Sequence, residues 1–418
     1  MSSPKERQRA NHPPANEFRD WSHLPAELLH LISDKISSFT DYISIRAVCV
    51  SWRLAFFPGP SHQPPPLFPW LMLPYDPDPC AGNDTSLRLF YDPVSCRTFK
   101  FNLPETSRKR VVGSSHGWLV IEDGPNVSLV NPITKAVIRL PSFTTPPNIL
   151  HYPPLEENLS PHTPDVLSRL TYDTGEPNIF NVILTSHPSF DPCCIVMVLV
   201  RYWKLVFCRV GDECWTVLGG DQTQEHRDEI GEAVLGVTYH DGLFYSINRY
   251  GKVVAYDLKG CKKEIIDSEA PIQSNHCYSH CYLVASASGE LLMLSDHHNR
   301  SERSGIIAYK LTRDGGKGKW EETNDIGEIV VFVDCSCQCF PLPVNAFRSG
   351  PIGDRMEGNR LFHPYNSKAV CGNEDGYLFN VAIKSVNVGD LSFEKINPNL
   401  GVFHSTWTKS MWFTPSLC

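Results

Sequence analysis

"VVGSSHGWLVIEDGPNVSLVNPITKAVIRLP", residues 111–141, sets the reading of most of the chain. Within it, Gly117–Ile121, Val127–Val130 and Ala136–Leu140 are short runs of β-branched and aromatic residues. Asp123-Gly124, Asn131-Pro132 and Pro141-Ser142 separate them. Side chains that alternate between two faces and break every few residues at turn formers make antiparallel strands, because a helix would need apolar positions three and four apart.

The same pattern continues toward the C-terminus. It recurs in Ile195–Val200, Lys204–Val210 and Cys214–Leu218, then in Ala233–Tyr239, Leu243–Asn248 and Lys252–Leu258, with turns at His240-Asp241-Gly242 and Tyr250-Gly251. Tyr282–Ser286, Glu290–Ser295, Ile306–Leu311 and Lys319–Glu322 form a further set. Ile329–Asp334, Gln338–Leu342, Asn359–His363 and Gly376–Ala382 follow. Strands in fours, one set per roughly 40 to 50 residues, match the spacing of propeller blades. A large all-β domain over 69–418 is expected, a β-propeller of about five to seven blades, with a two-sheet sandwich as the alternative. Residues 141–178 hold eight prolines and no apolar period, which reads as a Pro-rich, partly disordered insertion between blades.

The N-terminal part has a different period. Leu24, Leu28, Leu29, Leu31, Ile32 and Ile36 recur at helical spacing, and Pro25 sits where a first turn tolerates a missing N–H. Ile43, Ile45, Val48, Cys49, Trp52 and Leu54 repeat that spacing up to Pro58-Gly59. Two or three short helices over 21–57 cannot cover this much apolar surface among themselves, so another polypeptide must cover part of it. Residues 1–20 are charged and lack apolar periodicity, as expected of a disordered tail. Residues 58–68 open a run of nine prolines that ends at Pro79. They read as a stiff linker, with a polyproline ligand at Pro64-Pro65-Pro66 as the other possibility.

The chain has 418 residues and a formal net charge of -8, which argues against a general nucleic-acid surface. No apolar stretch suits a signal peptide or a membrane span. With fifteen cysteines, an odd number, reduced thiols and a cytoplasmic or nuclear location are the expectation.

Three motifs bear on chemistry. Gly113-Ser114-Ser115-His116-Gly117 fits the G-x-S-x-G phrase of a hydrolase nucleophile elbow, which would make Ser115 an esterase nucleophile. The following Trp118–Ile121 reads as a strand, whereas an elbow feeds a helix, so a turn between strands is the favoured reading. His276, Cys277, His280 and Cys281 are potential zinc ligands, but they lack the second, separated pair that a tetrahedral site draws on. Cys335, Cys337 and Cys339 alternate and read as packed thiols. No catalytic residue, cofactor or metal ligand is assigned, and no partner is expected to be nucleic acid or membrane.

With those residues in view, the N-terminal stretch resembles the F-box, the helical motif that docks the Skp adaptor of cullin-based ubiquitin ligases. Leu24-Pro25, Glu27-Leu28-Leu29, Ile32, Ile36, Asp41, Arg46, Val48-Cys49 and Trp52-Arg53 carry that likeness. The remainder is similar to the plant family in which an F-box precedes a KIB-type β-propeller. The phrases are "PWLML" at 69–73, "VVGSSHGWLVIED" at 111–123, "VSLVNPITKAVIRLP" at 127–141, "GLFYSINRYGKVVAYDL" and the closing "MWFTPS". The resemblance implies a non-catalytic substrate receptor of an SCF-type (Skp–cullin–F-box) ligase. Leu24, Pro25, Leu28, Leu29, Ile32, Ile36, Val48, Cys49, Trp52 and Arg53 would bind the Skp-type adaptor, which brings the cullin. The propeller would bind an unknown target protein. An F-box scaffold that engages no cullin is the alternative.

Overall fold

The computed structural model describes residues 21–33, 35–36, 39–56, 68–75, 86–145, 148–151, 179–200, 204–219, 234–248, 251–260, 262–269, 281–286, 289–298, 304–314, 317–334, 339–344, 357–368, 378–397, 400, 402–404 and 410–416. The expected N-terminal tail, the zinc-like residues His276, Cys277 and His280, and Cys335 and Cys337 lie outside them. The chain divides into two compact units, Met1–Leu67 and Phe68–Cys418.

In the first unit a 3-10 turn, Trp21–His23, precedes helices α1 (Ala26–Ser33), α2 (Phe39–Arg46) and α3 (Val50–Ala55). Pro25 stands just before α1, where its carbonyl accepts the Leu28 and Leu29 amides. The second apolar segment is two helices rather than one. Cys49 adopts an extended backbone, and its Sγ accepts the Trp52 amide at 3.5 Å, capping α3. Leu29, Ile36, Phe39, Tyr42 and Phe56 form the small core, with Tyr42 edge-on to Phe56.

In the second unit, β1 (Trp70–Met72), β2 (Leu87–Asp92) and β3 (Arg97–Asn102) begin the first blade. β4 (Arg110–Ser115), β5 (Trp118–Asp123), β6 (Asn126–Val130) and β7 (Val137–Arg139) form the second. The third comprises β8 (Asn148–His151), β9 (Ile179–Leu184), β10 (Ile195–Val200), β11 (Lys204–Arg209) and β12 (Thr216–Gly219). The fourth comprises β13 (Val234–His240), β14 (Leu243–Asn248), β15 (Val253–Asp257) and β16 (Lys262–Glu269). β17 (Cys281–Ala285), β18 (Leu291–His298), β19 (Ser304–Asp314) and β20 (Lys317–Thr323) make the fifth. β21 (Ile329–Val333), β22 (Cys339–Pro343), β23 (Arg360–Lys368), β24 (Leu378–Asn387), β25 (Phe393–Asn397) and β26 (Val402–His404) make the sixth. The last strand, β27 (Met411–Phe413), returns to the first blade as its innermost member, in the order β27-β1-β2-β3. The result is a six-bladed β-propeller.

The ring closes by the pairing of Trp70 with Phe413, Leu71 with Trp412 and Met72 with Met411. All six of these residues are buried, and closing the circle leaves the first strand without an open edge. Alternation then builds the seams between blades. On β10, Val196, Val198 and Val200 join Trp118 and Trp215 in the seam with blade two. Ile195, Met197 and Leu199 face Val237 and Phe244 of blade four. β21 does the same, with Val331 and Val333 toward blade five and Val330 and Phe332 toward blade one. Each such side chain contributes about 1.5–3 kcal/mol on burial, and a central strand buried on both faces reads as a continuous apolar run.

Buried indoles take carbonyl partners. Trp215 Nε1 donates to the Pro141 carbonyl at 2.8 Å, Trp320 to Gly251 at 2.7 Å and Trp412 to Val333 at 2.9 Å. Two of these anchors are segments that the sequence leaves as loops.

Two expectations need correction. The 141–178 insertion does not begin at 141. Phe143 is buried and stacks on Trp215 at 5.1 Å, and β8 adds in parallel to the edge strand β12; residues 152–178 lie outside the described part. Phe68, expected to end the linker, is buried among Phe332, Phe362 and Leu71 of the propeller. Both stretches are rich in proline, and a count of prolines hides a single aromatic anchor.

Candidate functional site

Two surfaces can engage partners. The first is on the helical unit. Trp21, Leu28, Leu31, Val48, Val50 and Leu54 are large apolar side chains between 46% and 68% exposed. Leu28 and Leu31 are three apart on α1, and Val50 and Leu54 four apart on α3, so each pair lies along one helix face. Two side-chain hydrogen bonds hold the framework around them. Trp52 Nε1 donates to the Trp21 carbonyl at 2.8 Å, and Arg53 Nε donates to the Arg46 carbonyl at 3.4 Å.

The ten residues singled out from the sequence divide between core and surface. Leu29 and Ile36 are buried, while Leu24, Ile32, Cys49 and Trp52 are half-buried. Pro25, Leu28, Val48 and Arg53 are exposed. Trp21, Leu31, Val50 and Leu54 were not among the ten, although helical spacing from Leu28 could have found Leu31.

The second surface is one end of the ring. The inner strands β4, β9, β13 and β17 pack side by side, and β27 packs on β4. The turns after these strands meet at that end. Gly289, after β17, lies 3.4 Å, measured from an added Cβ, from Nε2 of His240, the last residue of β13. Ser416, after β27, receives at its carbonyl the Asn131 Nδ2 at 3.1 Å. Its hydroxyl lies 3.2 Å from His187 Nε2 on the β9–β10 loop.

Ser115 sits here, in a hairpin and not in an elbow. It pairs with Trp118 across the β4–β5 turn, and His116 and Gly117 have φ of 50° and 81°, the pair of left-handed residues of a type I′ turn. No helix follows, so the hydrolase reading loses its geometric basis. Ser115 Oγ accepts the Leu184 amide at 3.2 Å and lies 3.0 Å from His116 Nδ1. Loss of hydration around the imidazole, helped by the neighbouring His187, pushes the His116 pKa down to about 4, even though the residue as a whole is exposed. The hydroxyl thus ties one inner strand to the next. Cys281 is buried in β17 among Leu283 and Leu291, and no group of three or more metal-ligating side chains occurs among the described residues. No described helix is long and apolar enough to cross a membrane.

Comparison with known proteins agrees with this architecture. The family model described as KIB1-4 beta-propeller matches residues 90–380. An F-box/kelch-repeat protein of Arabidopsis thaliana is 24% identical over 361 residues, covering 85% of this chain and 84% of its own. A putative F-box protein of the same plant is 23% identical over 91% of this chain and 96% of its own. The Arabidopsis F-box protein SKIP23 is 26% identical over 60% of this chain and 58% of its own.

Proposed function

The chain belongs to the KIB1-4 beta-propeller family, as an F-box protein of the plant type, and we propose that it is the substrate-recognition subunit of an SCF-type ubiquitin ligase. The helical unit docks a Skp-type adaptor and, through it, a cullin, while the propeller holds a target protein. The observation that carries this reading is the exposed apolar set Trp21, Leu28, Leu31, Val48, Val50 and Leu54 on a unit with only a small core of its own. Large apolar side chains left exposed together in this way mark interfaces.

The subunit itself makes and breaks no bond. It raises the effective concentration of a target lysine beside the charged conjugating enzyme, so that transfer becomes quasi-intramolecular. A receptor of this kind would work in the cytoplasm or nucleus. Affinity purification of the full chain tests the reading. Adaptor and cullin recovered together support it, and adaptor without cullin would favour a scaffold that does not direct degradation.

A further inference from the structure

The β9–β10 loop presents an aromatic ring to solvent from a firmly held base. Phe190 is 56% exposed. Its amide and that of Asp191 both donate to the His187 carbonyl at 3.1 Å, and its ring lies against the His187 ring at 4.9 Å. His187 in turn receives the Trp118 indole N–H at 3.1 Å. Asp191 closes the loop from the other side, accepting from Ser186 Oγ at 2.6 Å and from the Cys193 amide at 2.8 Å. An exposed phenyl ring on so many hydrogen bonds has little conformational freedom left to lose on binding, which is the property of an interface anchor.

The turns around it carry an excess of negative charge. At this end of blades three and four stand the carboxylates Asp191, Asp212, Glu213, Asp241 and Asp257, against the cations Arg209, Lys259 and Lys262, the last opposite Asp257 across the β15–β16 turn. Burial raises the Tyr239 pKa, and Asp191 and Asp241 both add to the rise, so the two carboxylates act on one hydroxyl next to the loop. Asp241 is exposed at a φ of 46°, followed by Gly242 at 82°, a turn that holds the carboxylate outward.

We propose that the turn face of blades three and four, centred on Phe190, is where the target docks, and that it takes a linear segment with an apolar side chain next to a lysine or arginine. This rests on the substrate-receptor reading and adds to it the chemical class of the target. The ring supplies the desolvated anchor, and the carboxylates select the flanking cation and speed encounter.

The test is to pan a library of random linear peptides on the immobilised full-length chain. Enriched peptides are then synthesised and titrated against wild type, Phe190→Ala and the double variant Glu213→Gln, Asp241→Asn. Both variants alter exposed side chains and should keep the wild-type melting temperature, and adaptor binding serves as a second check on folding. Enriched peptides should carry Lys or Arg beside Leu, Phe or Trp. Phe190→Ala should weaken them by about tenfold or more, and the charge variant should weaken them mainly at low salt. No enrichment, acidic consensus sequences, or equal binding by both variants would each overturn the proposal. In all three outcomes, retained recovery of adaptor and cullin would leave the receptor reading standing, so the two failures are distinguishable.

Discussion

Gly117→Ala offers a matched test of how the ring is locked after its closing strand. The φ of 81° is in the left-handed region, which costs an alanine about 1–2 kcal/mol. A Cβ there would also lie 2.2 Å from Ser416 Cβ and 3.1 Å from the Ser416 amide nitrogen, a distance no two carbons tolerate. The tail must therefore lift, breaking the bonds from Asn131 to its carbonyl and between its hydroxyl and His187, each worth about 0.5–1.5 kcal/mol. The sum is about 2–5 kcal/mol. Gly124→Ala is the control, because its φ is 57° with nothing within 4 Å of the added carbon, leaving only the backbone cost of about 1–2 kcal/mol. Urea midpoints of the two variants should differ accordingly. Removing residues 414–418 should bring Gly117→Ala down to the cost of Gly124→Ala. Equal midpoints for the two glycine variants in the full chain would refute the docking of the tail over blade two.

Other outcomes follow from single contacts. Trp412→Phe should lower the melting temperature more than Trp320→Phe, because the Val333 carbonyl loses the indole while Gly251 keeps Ser268 Oγ at 2.6 Å. Deletion of 410–418 removes the whole of β27 and should give aggregated protein; a soluble, cooperatively melting product would contradict ring closure by that strand. Ser115→Ala should leave partner binding intact at a cost of about 1–3 kcal/mol for the stranded Leu184 amide; lost binding at unchanged stability would reopen a chemical role for the hydroxyl. His116 stays neutral in the fold down to about 4, whereas the unfolded chain takes up the proton near the ordinary histidine value of 6.5. The unfolded state thus binds more protons between those values, so stability should fall as pH drops through that window, and the fall should be shallower in His116→Asn.

Much of the blade architecture was legible because it is local. Leu243–Asn248 has the bounds read from alternation, and Ile195–Val200 stands out as a doubly buried strand. The paired left-handed turns were announced by His116-Gly117 and Asp241-Gly242. Strands β2, β3, β4, β8, β9, β16, β25 and β26 were not foreseen. β3 and β16 lie toward the outside of their blades, and a sequence such as KKEIIDSE has too little apolar contrast to show its period. Non-local pairings stayed out of reach as well. β8 joins β12 in parallel and β16 joins β20 across two blades, and nothing within either strand records its partner. On the helical unit the apolar surplus was plain, but the division between core and surface was not. Leu28 and Leu29 are adjacent in sequence, yet one is 46% exposed and the other 2%, a distinction that arises where α1 packs on α3.

What covers that exposed apolar face decides what the helical unit does. Titration calorimetry of the purified full chain with a purified Skp-type adaptor, wild type against the triple variant Leu28→Asp, Val50→Asp, Leu54→Asp, measures it directly. All three side chains are exposed, so the variant should melt as the wild type does. Saturable binding by the wild type and none by the variant is the predicted result. Equal affinity for both proteins, or no binding by the wild type, would contradict the assignment of this unit as the adaptor-docking module.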